Sequence, residues 1–411
     1  MAGTTSDSTG LGAILKDEYE TELGELINKS HPLLQKVKKS AQKFEGRRLA
    51  IAVNVGRNPS ARGMTEGDYL PVAGNKSWVD AYVSAKKVAG RIQLTEDLIE
   101  ASATKAGAFV EALGDEIDGL RESCEDTLHR QLYGNKVSIS GAYPTGVITQ
   151  VNGTVNNAAV VVDDNRWLTV GRTYRIGTAA ELGGTGTPAT GTVASKSGTT
   201  NVTFSAAVDV VDNDIIADGD SLGNSYDAEI HGLEHMVDDA DDDYESVNTG
   251  TYTDWKALVH GNSGVGRALT LDLMHALFDT VADTNGSEPD FLLAHRSLRR
   301  KYIGLLQADV RFDAKQLDGG WTSLTYSNGS KPIPLEVDQK CTYGKIYMLN
   351  IKSIKLAERQ PWRFMNKDGA ILRAVANKAD YEAAFTWSGN LFTTSRNKHG
   401  VLEDLNYSLT A

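Results

Sequence analysis

Two runs decide the fold: Arg48-Leu49-Ala50-Ile51-Ala52-Val53-Asn54-Val55-Gly56 and, further on, Trp78-Val79-Asp80-Ala81-Tyr82-Val83. In the first, Leu49, Ile51, Val53 and Val55 alternate with Arg48, Ala50, Ala52 and Asn54, the period of a strand with one buried face. The return strand spans about Trp78 to Val88, so Arg47–Val88 reads as one long hairpin. Between the strands lie Gly56, Asn58, Pro59, Gly63, Gly67, Pro71 and Gly74. A connection this long without a core of its own is usually functional or disordered. It holds too few large apolar groups to bury itself, and is expected to rest on another subunit.

Upstream, Leu11, Leu15, Tyr19, Leu23, Leu26 and Ile27 recur at helical spacing until Pro32 interrupts them, which predicts a helical arm. Downstream, Phe109, Leu113, Ile117, Leu120, Cys124, Leu128 and Leu132 form one apolar stripe. A helix over Thr104–Tyr133 is predicted, roughly 45 Å long and stopped by Gly134-Asn135. Cys124 sits within that stripe and reads as a small apolar residue rather than a nucleophile.

Residues 141–226 change character. Short β-rich runs (Val147–Val151, Ala159–Val162, Trp167–Ile176, Gly191–Ala194, Asn201–Phe204, Ile215–Ala217) alternate with Gly, Thr, Asn and Asp turns, which predicts a small all-β unit. Helices are predicted at Trp255–His260, at Leu271–Val281 with Thr270 as N-cap, and at Ser297–Gln307. Phe291–Ala294 reads as a buried strand, and the tail as β-rich over Ile333–Val337, Lys345–Ile351, Ile371–Val375 and Tyr381–Trp387.

Composition places the chain among globular proteins: 411 residues, 40% hydrophobic and 23% charged. Its length suggests two or three domains. The net charge of −12 argues against a generic nucleic-acid coat until it is located. Residues 209–245 hold 14 acids and no Lys or Arg; outside them the chain carries 40 acids and 42 bases, a net of +2. Residues 29–62 are the opposite, nine bases against the single acid Glu45. Phe44 is the only aromatic there, so a base-stacking platform is not supported. Two cysteines, Cys124 and Cys341, make no disulfide framework and point to a reducing compartment. No signal peptide and no membrane-spanning run are evident.

Three motifs invite chemistry. His231-Gly232-Leu233-Glu234-His235 fits the H-x-x-E-H pattern, in which two His bind zinc and the Glu activates water. Gly232 is a poor helix residue, no paired downstream Glu offers a third ligand, and polar turn or strand residues are the better reading. Asp239, Asp241 and Asp243 copy the first EF-hand ligands, but Tyr244 stands where Gly is needed and Gly250 where the bidentate Glu belongs. An EF-hand is excluded; a solvated acidic loop is preferred to a looser cation site. Gly261-Asn262-Ser263-Gly264-Val265-Gly266 lacks both the Gly-Lys-Ser/Thr ending of a phosphate loop and the final Gly of a nucleophile elbow, and reads as a flexible connection. No acid–base or nucleophile constellation assembles, so no enzyme activity is expected.

The order of these elements resembles that of a tailed-bacteriophage major capsid protein with the Hong-Kong-97-type fold, over nearly the whole chain. The hairpin 47–88 looks like the family's extended loop, and Ile92-Gln93-Leu94-Thr95-Glu96-Asp97-Leu98-Ile99 like its run into the peripheral domain. Thr104–Tyr133 is similar to the spine helix, and the β unit sits where many members insert an extra domain, closing with Gly232-Leu233 and Val237-Asp238-Asp239. Leu271–Val281, Pro289 to His295, Arg299-Arg300-Lys301-Tyr302 and Gly344 to Leu349 look like the axial domain, and Trp362 through Asp368-Gly369 like the closing segment.

The resemblance implies an α+β, Hong-Kong-97-type capsid fold with an inserted small all-β domain. Its parts are an N-terminal arm (1–45), an extended hairpin loop (46–92), the spine helix and first part of the peripheral domain (93–140), and the inserted β-rich domain (141–232). An acidic connection (233–255), an axial domain with peripheral-domain elements (256–380), and a C-terminal strand and tail (381–411) complete it. It implies a subunit made in the bacterial host cytoplasm that assembles with itself, as hexamers and pentamers, into an icosahedral virion shell around double-stranded DNA contacted non-specifically. Only about 45 residues precede the hairpin, too few for a fused scaffold, so a separate scaffolding protein is implied, with a portal and, in some members, a decoration protein. No cofactor, metal or membrane partner is expected. Arg47, Arg48, Arg57 and Arg62 are the candidates for inter-subunit ion pairs, with Met64 and Tyr69 as apolar contacts at the hairpin tip. The Lys–Asn crosslink of some members cannot be placed, since Lys86, Lys87, Asn377 and Asn390 are all available. Two rivals stand beside this reading: a non-viral nanocompartment shell of the same fold, and a zinc metallopeptidase using His231, Glu234 and His235.

Overall fold

A 28-residue helix, Ala106–Tyr133, packs on a five-stranded sheet, and Gly90 is a point of contact. A Cβ on Gly90 would come within 2.5 Å of Leu120 Cδ1 and 2.7 Å of Cys124 Sγ, so helix and sheet approach too closely for any side chain there. Ile117, Cys124, Leu128 and Leu132 of the predicted stripe are buried. Burial pushes the Cys124 thiol up to about 11, as suits an inert core group. Gly134, at φ +68°, ends the helix, and its N–H donates to the Arg130 carbonyl at 3.0 Å.

The computed structural model describes residues 32–40, 44, 46–67, 69–96, 106–138, 143–220, 223–309, 325–327, 332–366, 373–375, 378 and 380–407. The predicted arm helix, Ile371 and Asn377 lie outside them.

The sheet beneath the helix is organised around its longest strand, Asp380–Thr393. That strand pairs antiparallel with Lys86–Thr95 along one edge and with Ile354–Phe364 along the other. Trp362 stacks on Phe385 with ring centroids 4.9 Å apart and planes 9° from parallel, which locks the two strands face to face. A second, six-stranded sheet has the order Leu258–His260, Gly400–Leu402, Ile346–Leu349, Phe291–Ala294, Pro332–Val337, Thr325–Ser327. Two helices, Leu271–Asn285 and Arg296–Asp309, belong to this second region. Met274, Leu277, Phe278 and Val281 of the first helix, with Leu298 and Tyr302 of the other, share a core with Leu292, Ala294, Ile346, Met348 and Leu402. Thr270 caps the first helix as predicted, its hydroxyl accepting from the Leu273 N–H at 3.2 Å.

The β unit is a third, six-stranded antiparallel sheet over residues 147–218. Its two end strands, Val147–Gln150 and Val155–Val161, are joined by a bridge between Val151 and Val162. Asn152 N–H donates to the Val161 carbonyl and Asp163 N–H to that of Gln150, so the sheet curls back on itself. Among the described residues, no helix is long and apolar enough to cross a membrane.

Three expectations are corrected. Trp255–His260 is not a helix: Thr253–Trp255 is a single 3₁₀ turn, and Leu258–His260 is a strand parallel to Gly400–Leu402. A short apolar run is ambiguous between helix and strand, and a partner distant in sequence settles it. Trp167–Ile176 becomes strand only from Thr173; Gly171, at φ +84°, turns the chain before it. Pro32 does not merely interrupt: it opens the short helix Pro32–Lys36, where its missing N–H costs nothing.

Candidate functional site

The extended hairpin forms with Leu49 facing Val83, Ile51 facing Ala81 and Val53 facing Val79, and its return strand ends at Ser84, short of the predicted Val88. One face of the ribbon is turned inward. Leu49 and Val83 pack with Phe44, Ala357 and Phe392, while Val53 and Ala81 pack with Val247 and Trp255. The inward face therefore has two supports, the long strands below its base and the Asp243–Trp255 region below its middle. The outward face carries Arg48, Ala50, Ala52, Trp78, Asp80 and Tyr82, all exposed. Arg48 lies over the Tyr82 ring, 6.0 Å from its centroid.

Beyond Gly56 the ribbon ends in an open tip. Asn58 turns the chain there, its Oδ1 accepting from the Ser60 N–H at 2.9 Å. Tyr69 is 89% exposed, Leu70 82% and Val72 90%, with Met64 at 42% and Trp78 at 57%. Arg47, Arg48, Arg57 and Arg62 are exposed, and among the described residues none of them has an ion-pair partner within the chain. Apolar side chains this accessible on a projecting loop are the mark of a surface that meets something else. The structure thus brings all six predicted contact residues to the hairpin's surface. Leu70, Val72 and Trp78 share that exposure and were not singled out from the sequence. For Trp78 the signal was present, because strand parity with the inward Val79, Ala81 and Val83 puts it outside.

The support under the hairpin is built from part of the acidic stretch: Asp239, Asp241 and Asp243 are exposed, as a solvated acidic loop requires, while Asp238 and Asp242 are half-buried and paired. Arg396 is fully buried and is the centre of this region. Its Nε donates to the Met236 carbonyl, Nη2 to the His235 carbonyl and Nη1 to Asp242 Oδ1, each at 3.0 Å. Lys136, just past the long helix, pairs with Asp238 and, at 3.2 Å, with Asp242. Burial lowers the Lys136 ammonium to about 8, against the opposing pull of Asp242. The same carboxylate is held below its usual range because Arg396 and Lys136 outweigh its own burial. Arg130 of the helix grips Glu229 bidentately, and both are buried. Lys256 pairs with Asp241, and Asn248 donates to Asp243 at 2.7 Å. The cations that this stretch attracts come from the chain itself.

The H-x-x-E-H residues are absorbed into the same support. The single helical turn there begins at Leu233, so His231 precedes it and the two imidazoles do not share a helix face. Their rings stack with centroids 6.1 Å apart. Burial lowers His231 to about 4 and His235 to about 3, which keeps both neutral. Glu234 accepts from Lys345 Nζ at 2.6 Å and from the Tyr347 hydroxyl at 2.5 Å. Those partners overcome its burial and hold it down at about 2, making it a fixed structural anion rather than a base for water. Gly232 is required by contact, since a Cβ there would lie 2.5 Å from the Tyr133 carbonyl carbon. Among the described residues, no three His, Cys, Asp or Glu groups come together as metal ligands.

No protein-family model matches the chain, and no curated protein matches it in sequence. Among solved structures it is similar to the cyanophage A-1(L) capsid asymmetric unit, with a TM-score of 0.55 at 12% identity, over 92% of this chain and 93% of that one. The chain has the Hong-Kong-97-type capsid fold. Looser likenesses, which add nothing to this, are to the capsid of an empty GTA particle and to the SrpI encapsulin of Synechococcus elongatus. Their TM-scores are 0.47 and 0.41, each at 10% identity, over 92% and 93% of this chain and 91% and 92% of theirs.

Two crosslink candidates are already engaged. Asn390 is buried, its amide donating to the Ser84 carbonyl at 2.9 Å while its oxygen accepts from the His231 N–H at 3.0 Å. Lys86 donates to the Asp227 carbonyl at 2.6 Å. Asn390 thus ties the hairpin's exit to the H-x-x-E-H segment.

Proposed function

We propose that this chain is the shell-forming subunit of a tailed-phage-type capsid, assembling with itself as hexamers and pentamers around double-stranded DNA. The observation that carries the reading is the hairpin tip. On a capsid fold, it presents Tyr69, Leu70 and Val72 almost fully to solvent, flanked by arginines that have no carboxylate partner among the described residues of their own chain. A neighbouring copy would cover the apolar residues and supply the carboxylates. Each such contact is worth little alone, but repetition around a closed shell multiplies it.

The same reading makes the chain a structural protein without an active site. It expects a separate scaffolding protein and a portal to direct closure, a decoration protein in some cases, and DNA contacted through phosphates rather than base edges. The buried Glu234 and His235 and the half-buried His231 support a non-enzymatic role, because each is committed to packing or pairing.

Negative-stain electron microscopy of the purified chain tests this directly. Closed shells or ring-shaped capsomers are expected, and a monodisperse monomer at high protein concentration would overturn it.

A further inference from the structure

We propose that the turn Tyr244–Val247 is a proton-held wedge that sets the stance of the extended hairpin: neutral Glu245 seats it, and ionised Glu245 loosens it. The turn joins the two short strands Asp243–Tyr244 and Val247–Asn248. Its central residues, Glu245 at φ 53° and Ser246 at φ 64°, both adopt the left-handed conformation that side chains other than glycine rarely hold. Such a conformation persists only where the surroundings over-determine it.

Contacts on both sides do so. Above, the Glu245 carbonyl accepts from the Tyr82 N–H of the hairpin at 2.7 Å, and Val247 packs with Val53, Ala81 and Trp255. Below, Arg396 lies over the Tyr244 ring, 4.7 Å from its centroid. The Glu245 side chain is buried, and neither of its oxygens has a well-formed hydrogen bond.

The groups facing that carboxyl are Tyr244 on its own turn, the Thr393 backbone of the long strand and Arg396 of the following turn. Arg396 has little charge to spare, being already spent on Asp242 and on the carbonyls of His235 and Met236. Burial therefore dominates and pushes the carboxyl up to about 8. The seated turn binds a proton that an exposed Glu245, at its ordinary 4.5, would release. Seating is then strongest below pH 4.5 and weakens as pH rises toward 8.

The inference holds for free chain, capsomer or shell, so it stands or falls separately from the assembly reading. The test is hydrogen exchange of the 77–84 segment, corrected for intrinsic rate, at pH 6.5 and pH 8, a window in which His231, His235 and His399 are already neutral. Protection in the unmodified chain should fall on the order of tenfold across it. The helix Leu271–Asn285 serves as control and should not change. In Glu245→Gln, the 77–84 segment should keep its protection at both pH values. The proposal is overturned by a flat profile in the unmodified chain, by an equal fall in the control helix, by the same fall in Glu245→Gln, or by failure of that neutral isostere to fold.

Discussion

In the acidic stretch 209–245, Glu229 is gripped by Arg130, Glu234 by Lys345, and Asp242 by Arg396 and Lys136. On the extended hairpin, Arg47, Arg48, Arg57 and Arg62 are exposed and meet no such partner among the described residues. Both regions are rich in one sign of charge, yet these three carboxylates of the first are buried or half-buried and paired within the fold, beside exposed neighbours such as Asp239 and Asp243, whereas the hairpin arginines stay in water. The difference follows from burial. A charge taken out of water must find its opposite nearby, whereas one left in water can wait. Net charge alone could not separate the two.

The sharpest way to break this comparison is Arg396→Ala. It strips Asp242 of one of its two cationic partners and two buried carbonyls of their donor, and should cost about 3–5 kcal/mol, enough to abolish most of the stability of a marginal protein. A denaturation midpoint close to that of the unmodified chain would mean that the buried charges are not what supports the hairpin.

A smaller effect is expected on acidification. His231, His235 and His399 have folded values of about 4, 3 and 3, all depressed by burial below the ordinary 6.5. They oppose folding progressively as pH falls from 6.5 toward 4, because the unfolded chain takes up protons first. Glu234, held at about 2, adds a loss as pH falls from 4.5 to 2. Glu245 acts in the opposite sense and offsets part of this. A net loss of about 2 kcal/mol between pH 7 and pH 5, read from urea midpoints, is the expected result. A rise in stability over that range would show that the histidines are not buried neutral.

The inward face of the hairpin's first strand was legible because alternation over Leu49–Val55 depends only on neighbours in sequence, whereas its pairing with Ser77–Ser84 does not. The long helix was legible for the same reason, through its stripe from Ile117 to Leu132. The strand Leu258–His260 was not, since its partner Gly400–Leu402 lies far along the chain. The support under the hairpin was hidden more thoroughly. Its acids lie within one short stretch, 229–242, but Arg130, Lys136, Lys345 and Arg396 are scattered, and nothing local announces that they converge. The H-x-x-E-H match was legible as a non-site from Gly232, a poor helix residue, which serves instead a close approach to Tyr133.

Deleting residues 56–76 removes the exposed tip and leaves both supports of the ribbon in place. Sedimentation velocity of that variant beside the full chain is the most direct test of the central claim. The account predicts an unchanged denaturation midpoint and the complete loss of shells. Shells of normal size from the deletion variant would contradict it.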